Sequence, residues 1–396
     1  MKRLILATLL PALLAAPAAA ADKPRARDLG VPFSGTPGPL NAITDVAGVT
    51  VGHTTLLSGS GALVRGKGPV RTGVTAVLPR GSKVDAEPVF AAWLPLNGNG
   101  EMTGTTWVEE SGQLYGPVMI TNTHSVGVVR DAVIAWAVQN VKRDDEYDTW
   151  SLPVVAETWD GWLNDINGFH VRPEHAVAAI ERAAAGPVAE GNVGGGTGMI
   201  CFHFKCGIGT ASRRLREAGR DWTLGVLVQA NFGNRSQLTV AGVPVGQSIT
   251  EHPAYVEPGT RNTDIDTGSI IVVVATDAPL LPHQLKRIAR RVGLGIARTG
   301  GTASDSSGDI FIAFSTAPLP ATGATAPITV QLLPNEAMTP FFQATVEATE
   351  EAIVNALVAA ESMTGVNDRY VMALPHDRLR ALLKRHRRLA DPTGAR

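Results

Sequence analysis

The stretch "DIDTGSIIVVVATDAP", residues 264–279, places the pair Gly268–Ser269 directly before five branched apolar residues, Ile270 to Val274. A continuous branched apolar run of this length reads as a strand buried on both faces. The Ser269 hydroxyl is therefore expected at the mouth of a core. Serine is a weak nucleophile until a base takes its proton. An N-terminal α-amine, whose unperturbed pKa is about 7.7–8.0, is partly neutral near pH 7 and can act as that base. The amine exists only if the bond before Ser269 is cut. The hydroxyl can do this by attacking the preceding carbonyl, forming an ester that water hydrolyses. Glycine suits position 268 because it lacks a Cβ and tolerates strained geometry. Alone, the pair is an ordinary turn.

Companions elsewhere in the chain carry the matching chemistry. In "TGGTASDSSGDIFIAF", Ser307, Gly308 and Asp309 precede another buried strand, Ile310 to Phe314. If the two strands are neighbours, Ser307 and Asp309 arrive at the same end as Ser269, where a hydroxyl relay backed by a carboxylate can polarise the nucleophile. "VQANFGN" ends a strand with Asn231, whose amide NH2 can donate to an oxyanion. "PVVAETWDGWLND" sets Glu157 beside Trp159 and Trp162, and a carboxylate among aromatics suits a substrate ammonium group. The plainer readings are a polar turn capped by Asp309, a turn asparagine, and a helix-start glutamate near surface tryptophans.

The elements that must position these groups follow from periodicity. "TGVTAVLPRG" and Val118–Thr121 read as strands, and "WTLGVLVQANFG" as a buried strand running into Asn231. A helix is expected from about Asp131, with Val133, Ala137 and Val141 on one face. "RPEHAVAAIERAAAG" is a helix with Pro173 in its first turn and Gly186 at its end. "LPHQLKRIARRVGLGIAR" spaces Leu285, Ile288, Val292 and Ile296 as an amphipathic helix. "FFQATVEATEEAIVNALVAAESMTG" is the last helix, expected to end at Gly365. Apolar strands with amphipathic helices imply two stacked sheets between helical layers. No Pro/Gly/Ser-rich linker divides the chain, so one domain over 22–396 is expected.

Lys2 and Arg3, the apolar run Leu4–Leu14 and the alanines at 18–20 form a cleavable export leader, residues 1–21. A periplasmic or secreted protein is expected. The formal net charge of −1 gives no reason to expect nucleic acid or an anionic membrane as partner. Cys201 and Cys206 lie in "CFHFKCG", which alternates like a strand; an offset of five puts them on opposite faces, so buried thiols are expected, with a disulfide as the alternative that an exported protein allows. "GNVGGGTG" does not match G-x-G-x-x-G, and "GALVRGKG" resembles a phosphate loop but has Gly68 in place of the metal-binding Ser/Thr; both read as glycine turns. There is no G-x-S-x-G elbow, no H-E-x-x-H, and no pattern pairing His124 with a serine.

Across nearly the whole mature chain the sequence resembles the L-aminopeptidase/D-esterase (DmpA-type) family, which includes the β-aminopeptidases. The likeness runs through "NAITDVAGVTVGHTT", "RTGVTAVLPRG", "LNGNGEMTGTTWVEESG", "ITNTHSVGVVRDAV", "ETWDGWLND", "GNVGGGTGM", "GIGTASR", "VLVQANFG", "TGSIIVVVATDAPLLPHQLKRIARR" and "SSGDIFIAFSTA". The resemblance implies an α+β, four-layer αββα sandwich of the N-terminal-nucleophile-like type shared with ornithine acetyltransferases. It implies one precursor cut between Gly268 and Ser269 into an α chain, 22–268, and a β chain, 269–396. It places the nucleophile at Ser269, the second serine and its acidic partner at Ser307 and Asp309, the oxyanion donor at Asn231, and the amine-binding carboxylate at Glu157 beside Trp159. Asp309 stands where the β-aminopeptidase branch has Glu. No metal or other cofactor is implied, and tetramers of αβ units are.

The expected activity is release of N-terminal amino acids from peptides, amides or esters bearing a free amino terminus, through a seryl acyl-enzyme. Two rivals differ in class. An acyltransferase of the ornithine acetyltransferase type characteristically carries threonine where this chain has Ser269, and its biosynthetic role does not suit an export leader. A decayed exported binding protein does not suit an intact set of Ser269, Ser307, Asn231 and Glu157.

Overall fold

The structure is a computed structural model that describes residues 23–81, 87–140, 150–256, 268–319 and 326–390. The export leader read at residues 1–21, and Val141, lie outside the described residues. In chain order the elements are β1 (Thr50–Ser58), β2 (Val70–Leu78), β3 (Val89–Pro95), α1 (Thr105–Ser111), β4 (Gln113–Leu114), β5 (Val118–Asn122), α2 (Val126–Asn140), β6 (Val154–Thr158) and α3 (Pro173–Glu181). They continue with β7 (Ile200–Cys201), β8 (Phe204–Lys205), β9 (Ile208–Glu217), β10 (Arg220–Asn231), α4 (Val245–Ser248), β11 (Ser269–Thr276) and α5 (Pro282–Arg298). The last are β12 (Ile310–Ser315), α6 (Thr339–Val358), β13 (Met363–Thr364), β14 (Tyr370–Val371) and α7 (His376–Arg385).

Two sheets form the centre, one in the order β1-β2-β5-β6 and one in the order β4-β3-β12-β11-β10-β9. Alternation along β11 shows how they stack. Ile270, Val272 and Val274 pack with Leu285, Ile288 and Val292 of α5 and with α6, whereas Ile271, Val273 and Ala275 pack with Val118, Ile120, Val154 and Ala156 of the other sheet. A strand covered on both faces has no polar side to show, which is why this one reads as an unbroken apolar run. The outer face of the four-stranded sheet is closed by Val129, Ala132 and Val133 of α2 and Ala176, Ala179 and Ile180 of α3. The layers are thus helix, sheet, sheet, helix, the αββα sandwich expected above.

Both parallel strand pairs are joined by helices, β5 to β6 through α2 and β11 to β12 through α5. A parallel pair needs such a crossover. It brings the starts of β11 and β12 to one end of the sheet. The antiparallel neighbours finish at the same end, with Asn231 opposite Ser269 and Pro95 opposite Ile310.

The amphipathic helix α5 matches its periodicity, with Leu285, Ile288, Val292 and Ile296 buried. Three other boundaries differ. Helix α2 begins at Val126, continuing the 3-10 turn Thr123–Ser125, rather than near Asp131. Helix α3 stops at Glu181, well before Gly186, because Ala184 leaves it to exchange backbone hydrogen bonds with Val51 of β1. Helix α6 stops at Val358, not Gly365, and the following residues form the short pairing of β13 with β14.

The cysteine expectation is overturned. "CFHFKCG" is a tight hairpin rather than one strand: β7 pairs with β8, and Phe202 and His203 at its tip both have positive φ, 50° and 59°. Two left-handed residues are the signature of a type I′ turn. The turn folds the alternation back on itself, bringing the Cα atoms of Cys201 and Cys206 to 5.4 Å, and the two are joined as a disulfide.

Candidate active site

Ser269 is the first residue of β11 and lies on the face of Ile271 and Val273, which looks into the space between the sheets. It is 6% exposed. Its Oγ accepts the backbone N–H of Gly308 at 3.0 Å. That turn holds the other two expected groups: Ser307 Oγ donates to Asp309 Oδ1 at 2.6 Å, and both residues are buried. The parallel register of β11 and β12 produces the meeting, since Ile271 lies beside Ile310 and the residues before each strand must be neighbours. Gly268 is pressed against the end of β10: a Cβ there would fall on the carbonyl oxygen of Asn231. Only glycine permits that approach.

Asn231 is fully buried and in register with Ser269. Its Oδ1 accepts the N–H of Ile200 at 2.8 Å, and its Nδ2 donates to the carbonyl of Trp159 at 2.9 Å. The two bonds fix the plane of the amide and use one of its two N–H groups. Trp159 thus touches the site through its backbone, while its half-buried ring lies over Gly161. One strand turn back, Gln229 spans the two sheets, donating to Thr121 O at 3.0 Å and Thr158 Oγ1 at 2.8 Å.

Glu157, near the end of β6, is 3% exposed. Its Oε1 accepts the N–H of Glu101 at 3.0 Å and its Oε2 the hydroxyl of Thr123 at 2.5 Å. Burial pushes this carboxyl above its ordinary range, and the two hydrogen bonds pull against that shift. A buried carboxylate held by two donors has the geometry to receive a cation. His124 lies on the adjoining 3-10 turn, exposed and stacked on Phe169 with ring centroids 6.0 Å apart.

The groups that hold this arrangement were not singled out by spacing or residue type. Asn97 Oδ1 accepts the N–H of Asp309 at 2.5 Å, and its Nδ2 reaches Ser304 O at 3.3 Å and Asp309 Oδ2 at 3.4 Å. Thr123 and Gln229 are similarly placed. The signal for Asn97 was present in "LNGNGE", where four turn-forming residues follow an apolar strand.

Asp160, two residues beyond the end of β6, is a second buried carboxylate. Oδ2 accepts from Asn122 Nδ2 at 3.1 Å and Oδ1 from Asn164 Nδ2 at 3.0 Å. Asn122 adjoins Thr123, so Asp160 steadies the segment that binds Glu157. Burial raises its pKa to about 6. Between the ordinary carboxylate value and 6 the folded chain takes up a proton that the unfolded chain does not. The stability from this group is therefore fully present below the ordinary value and is lost as pH rises through 6. Relative to Asp160→Asn, which does not titrate, the wild type should be more stable by about 1 kcal/mol at pH 5 than at pH 7.5. Urea unfolding at the two pH values measures this; a difference that grows with pH would contradict it.

A serine at the first position of an inner strand, behind an obligatory glycine and between the sheets of an αββα sandwich, defines a hydrolase of the N-terminal-nucleophile class. The chain belongs to Peptidase family S58, whose sequence pattern matches residues 41–371, and it is an aminopeptidase of that family. It is 58% identical over 390 residues to the β-peptidyl aminopeptidase BapA of Sphingosinicella microcystinivorans, covering 96% of each chain. Among solved structures, it is similar to the L-aminopeptidase D-Ala-esterase/amidase of Ochrobactrum anthropi, at 50% identity and a TM-score of 0.86, covering 93% of this chain and 100% of that one. It is also similar to the β-aminopeptidase of a Burkholderia species, at 48% identity and a TM-score of 0.81, covering 91% and 98%.

Proposed function

We propose that this aminopeptidase is exported, cuts itself between Gly268 and Ser269, and then releases N-terminal residues, β-amino acids among them, through an ester on Ser269. The observation that carries the reading is the hydrogen bond from Gly308 N–H to Ser269 Oγ, on the turn that also holds Ser307 and Asp309. In the precursor, Oγ attacks the Gly268 carbonyl and the peptide nitrogen leaves as an amine. Water then hydrolyses the ester, leaving a carboxylate on Gly268 and a free α-amine on Ser269. In the mature site that amine takes the Oγ proton as Oγ attacks the substrate carbonyl. The proton passes to the departing amine, the C–N bond breaks, and water hydrolyses the acyl-enzyme and restores the hydroxyl.

Glu157 receives the substrate ammonium. Asn231, with its amide plane fixed by Ile200 and Trp159, supplies an N–H to the tetrahedral oxyanion. Ser307 and Asp309 support proton transfer around Ser269. The leader directs the precursor to the periplasm or outside, and the processed αβ unit assembles into a homo-oligomer.

A denaturing gel of the purified protein, with N-terminal sequencing of the smaller band, tests the processing step. The expected start is Ser-Ile-Ile-Val. A single uncut chain that hydrolyses amino-acid p-nitroanilides would sink the self-processing reading.

A further inference from the structure

The turn-rich segment between β3 and α1 touches both halves of the site. On one side, Asn97 holds Asp309 through backbone and side chain, the N–H of Asn99 donates to Ser307 O at 3.1 Å, and Asn99 Nδ2 donates to Ser306 O at 2.8 Å. On the other, the N–H of Glu101 donates to Glu157 Oε1. Between them Gly100 packs backbone to backbone on Gly308, the residue whose N–H binds Ser269 Oγ. A Cβ on Gly100 would stand 3.0 Å from Gly308 Cα and 3.4 Å from Glu157 Oε1. Five consecutive residues thus bridge the carboxylate of Glu157 and the turn of the nucleophile.

We propose that the Asn97–Glu101 strap is a positioning element that fixes the spacing between Glu157 and Ser269, and so sets the length of amino-acid backbone the site accepts. The inference rests on the reading of Glu157 as ammonium site and Ser269 as nucleophile. With the ammonium held at one point and the scissile carbonyl required at another, the distance between them selects the number of bonds in the substrate. A β-amino acyl group has one more C–C bond between nitrogen and carbonyl than an α-amino acyl group, which lengthens the span by about 1.3 Å. Misplacement on that scale costs about 100-fold in rate, so a strap that holds the spacing to a fraction of it discriminates between the two classes. The two glycines in contact leave no slack. A methyl group on Gly100 stands tight against Gly308, 3.0 Å from its Cα and 3.3 Å from its O, while resting at contact distance from Glu157 Oε1, so the Gly308 turn must give and move away from Glu157, toward the longer substrate.

The test compares kcat/KM for the p-nitroanilides of β-alanine and L-alanine in processed wild type and Gly100→Ala. The expected result is a ratio of β to α raised about tenfold in the variant. Gly127→Ala, in α2 and outside the strap, is the control: a Cβ there meets nothing within 4 Å, and the ratio should not move. Should Gly100→Ala fail to fold, Asn99→Ala, which loses only an exposed side-chain hydrogen bond, should still move the ratio by about threefold. A merely structural strap would lower both substrates together. The proposal is overturned if the ratio stays within about twofold of wild type in whichever of these two variants folds. Its failure is separable from failure of the parent reading, because wild-type processing and hydrolysis are measured in the same experiment.

Discussion

Ser269→Ala is expected to run as one uncut chain and to lose hydrolysis of amino-acid p-nitroanilides by about 10⁴-fold or more. Both losses have the same cause. Without Oγ nothing attacks the Gly268 carbonyl, so no ester forms and no α-amine is released; without Oγ no acyl-enzyme forms either. The fold should survive. The substitution leaves the Gly308 N–H without its acceptor, a cost of about 1–3 kcal/mol. The strand behind it keeps every apolar contact from Ile270 to Val274. A thermal melt near that of the wild type, with one band on the gel and no activity, is the full expected pattern. Ser269→Cys sharpens it, because a thiol is the better nucleophile: cleavage before residue 269 should persist. Peptidase activity surviving in Ser269→Ala would remove Ser269 from the chemistry, and cleavage surviving there would place the cutting nucleophile elsewhere.

How far the site was legible in sequence depended on which interactions made it. Ser269, Ser307, Asp309 and Asn231 could be read because each sits at the end of an apolar run, and runs of that kind must be buried strands in covered sheets. Once β11 and β12 are parallel neighbours, their approaches converge without further information. Glu157 could be read as a carboxylate that follows an apolar strand among the tryptophans Trp159 and Trp162, though its burial could not. Asn97, Thr123 and Gln229 could not, because their roles are hydrogen bonds across long sequence gaps: Asn97 lies 212 positions from Asp309, and Gln229 lies 108 from Thr121. No local period encodes such pairs. The errors share one physical source. Alternation in "CFHFKCG" predicts one strand, although residues at its centre adopt left-handed backbone and reverse the chain. The nearest glycines predict the ends of α3 and α6, whereas the chain leaves both helices earlier, for the β-pairing of Ala184 and of Met363. Competition between local helix signals and a waiting sheet edge is decided by tertiary structure.

Glu157→Gln should raise KM for free-amine substrates by about 10- to 100-fold while changing kcat much less. The size follows from the loss of one charge-assisted hydrogen bond, about 1.5–3 kcal/mol. The split follows because the ammonium is held alike in ground and transition states, so its loss removes uniform binding. Glutamine keeps the shape and can still accept from Glu101 N–H or Thr123, which limits damage to the loop. The pH profile supplies a sharper reading. Burial holds the Glu157 carboxyl above its ordinary range in the free enzyme. As pH falls through that raised value the carboxylate is neutralised and the ammonium loses its partner. The profile of kcat/KM, which reports groups of the free enzyme, should therefore carry a carboxylate limb at a pH above the ordinary carboxylate range, alongside the limb set by protonation of the Ser269 α-amine. Bound ammonium favours the ionised form, so in kcat the carboxylate limb should move to lower pH. In Glu157→Gln the carboxylate limb in kcat/KM should vanish, leaving a lower profile that keeps only the limb of the Ser269 α-amine. An unchanged KM, or a second, carboxylate limb that persists in the variant, would take the ammonium away from Glu157 and with it the anchor from which the site measures its substrate.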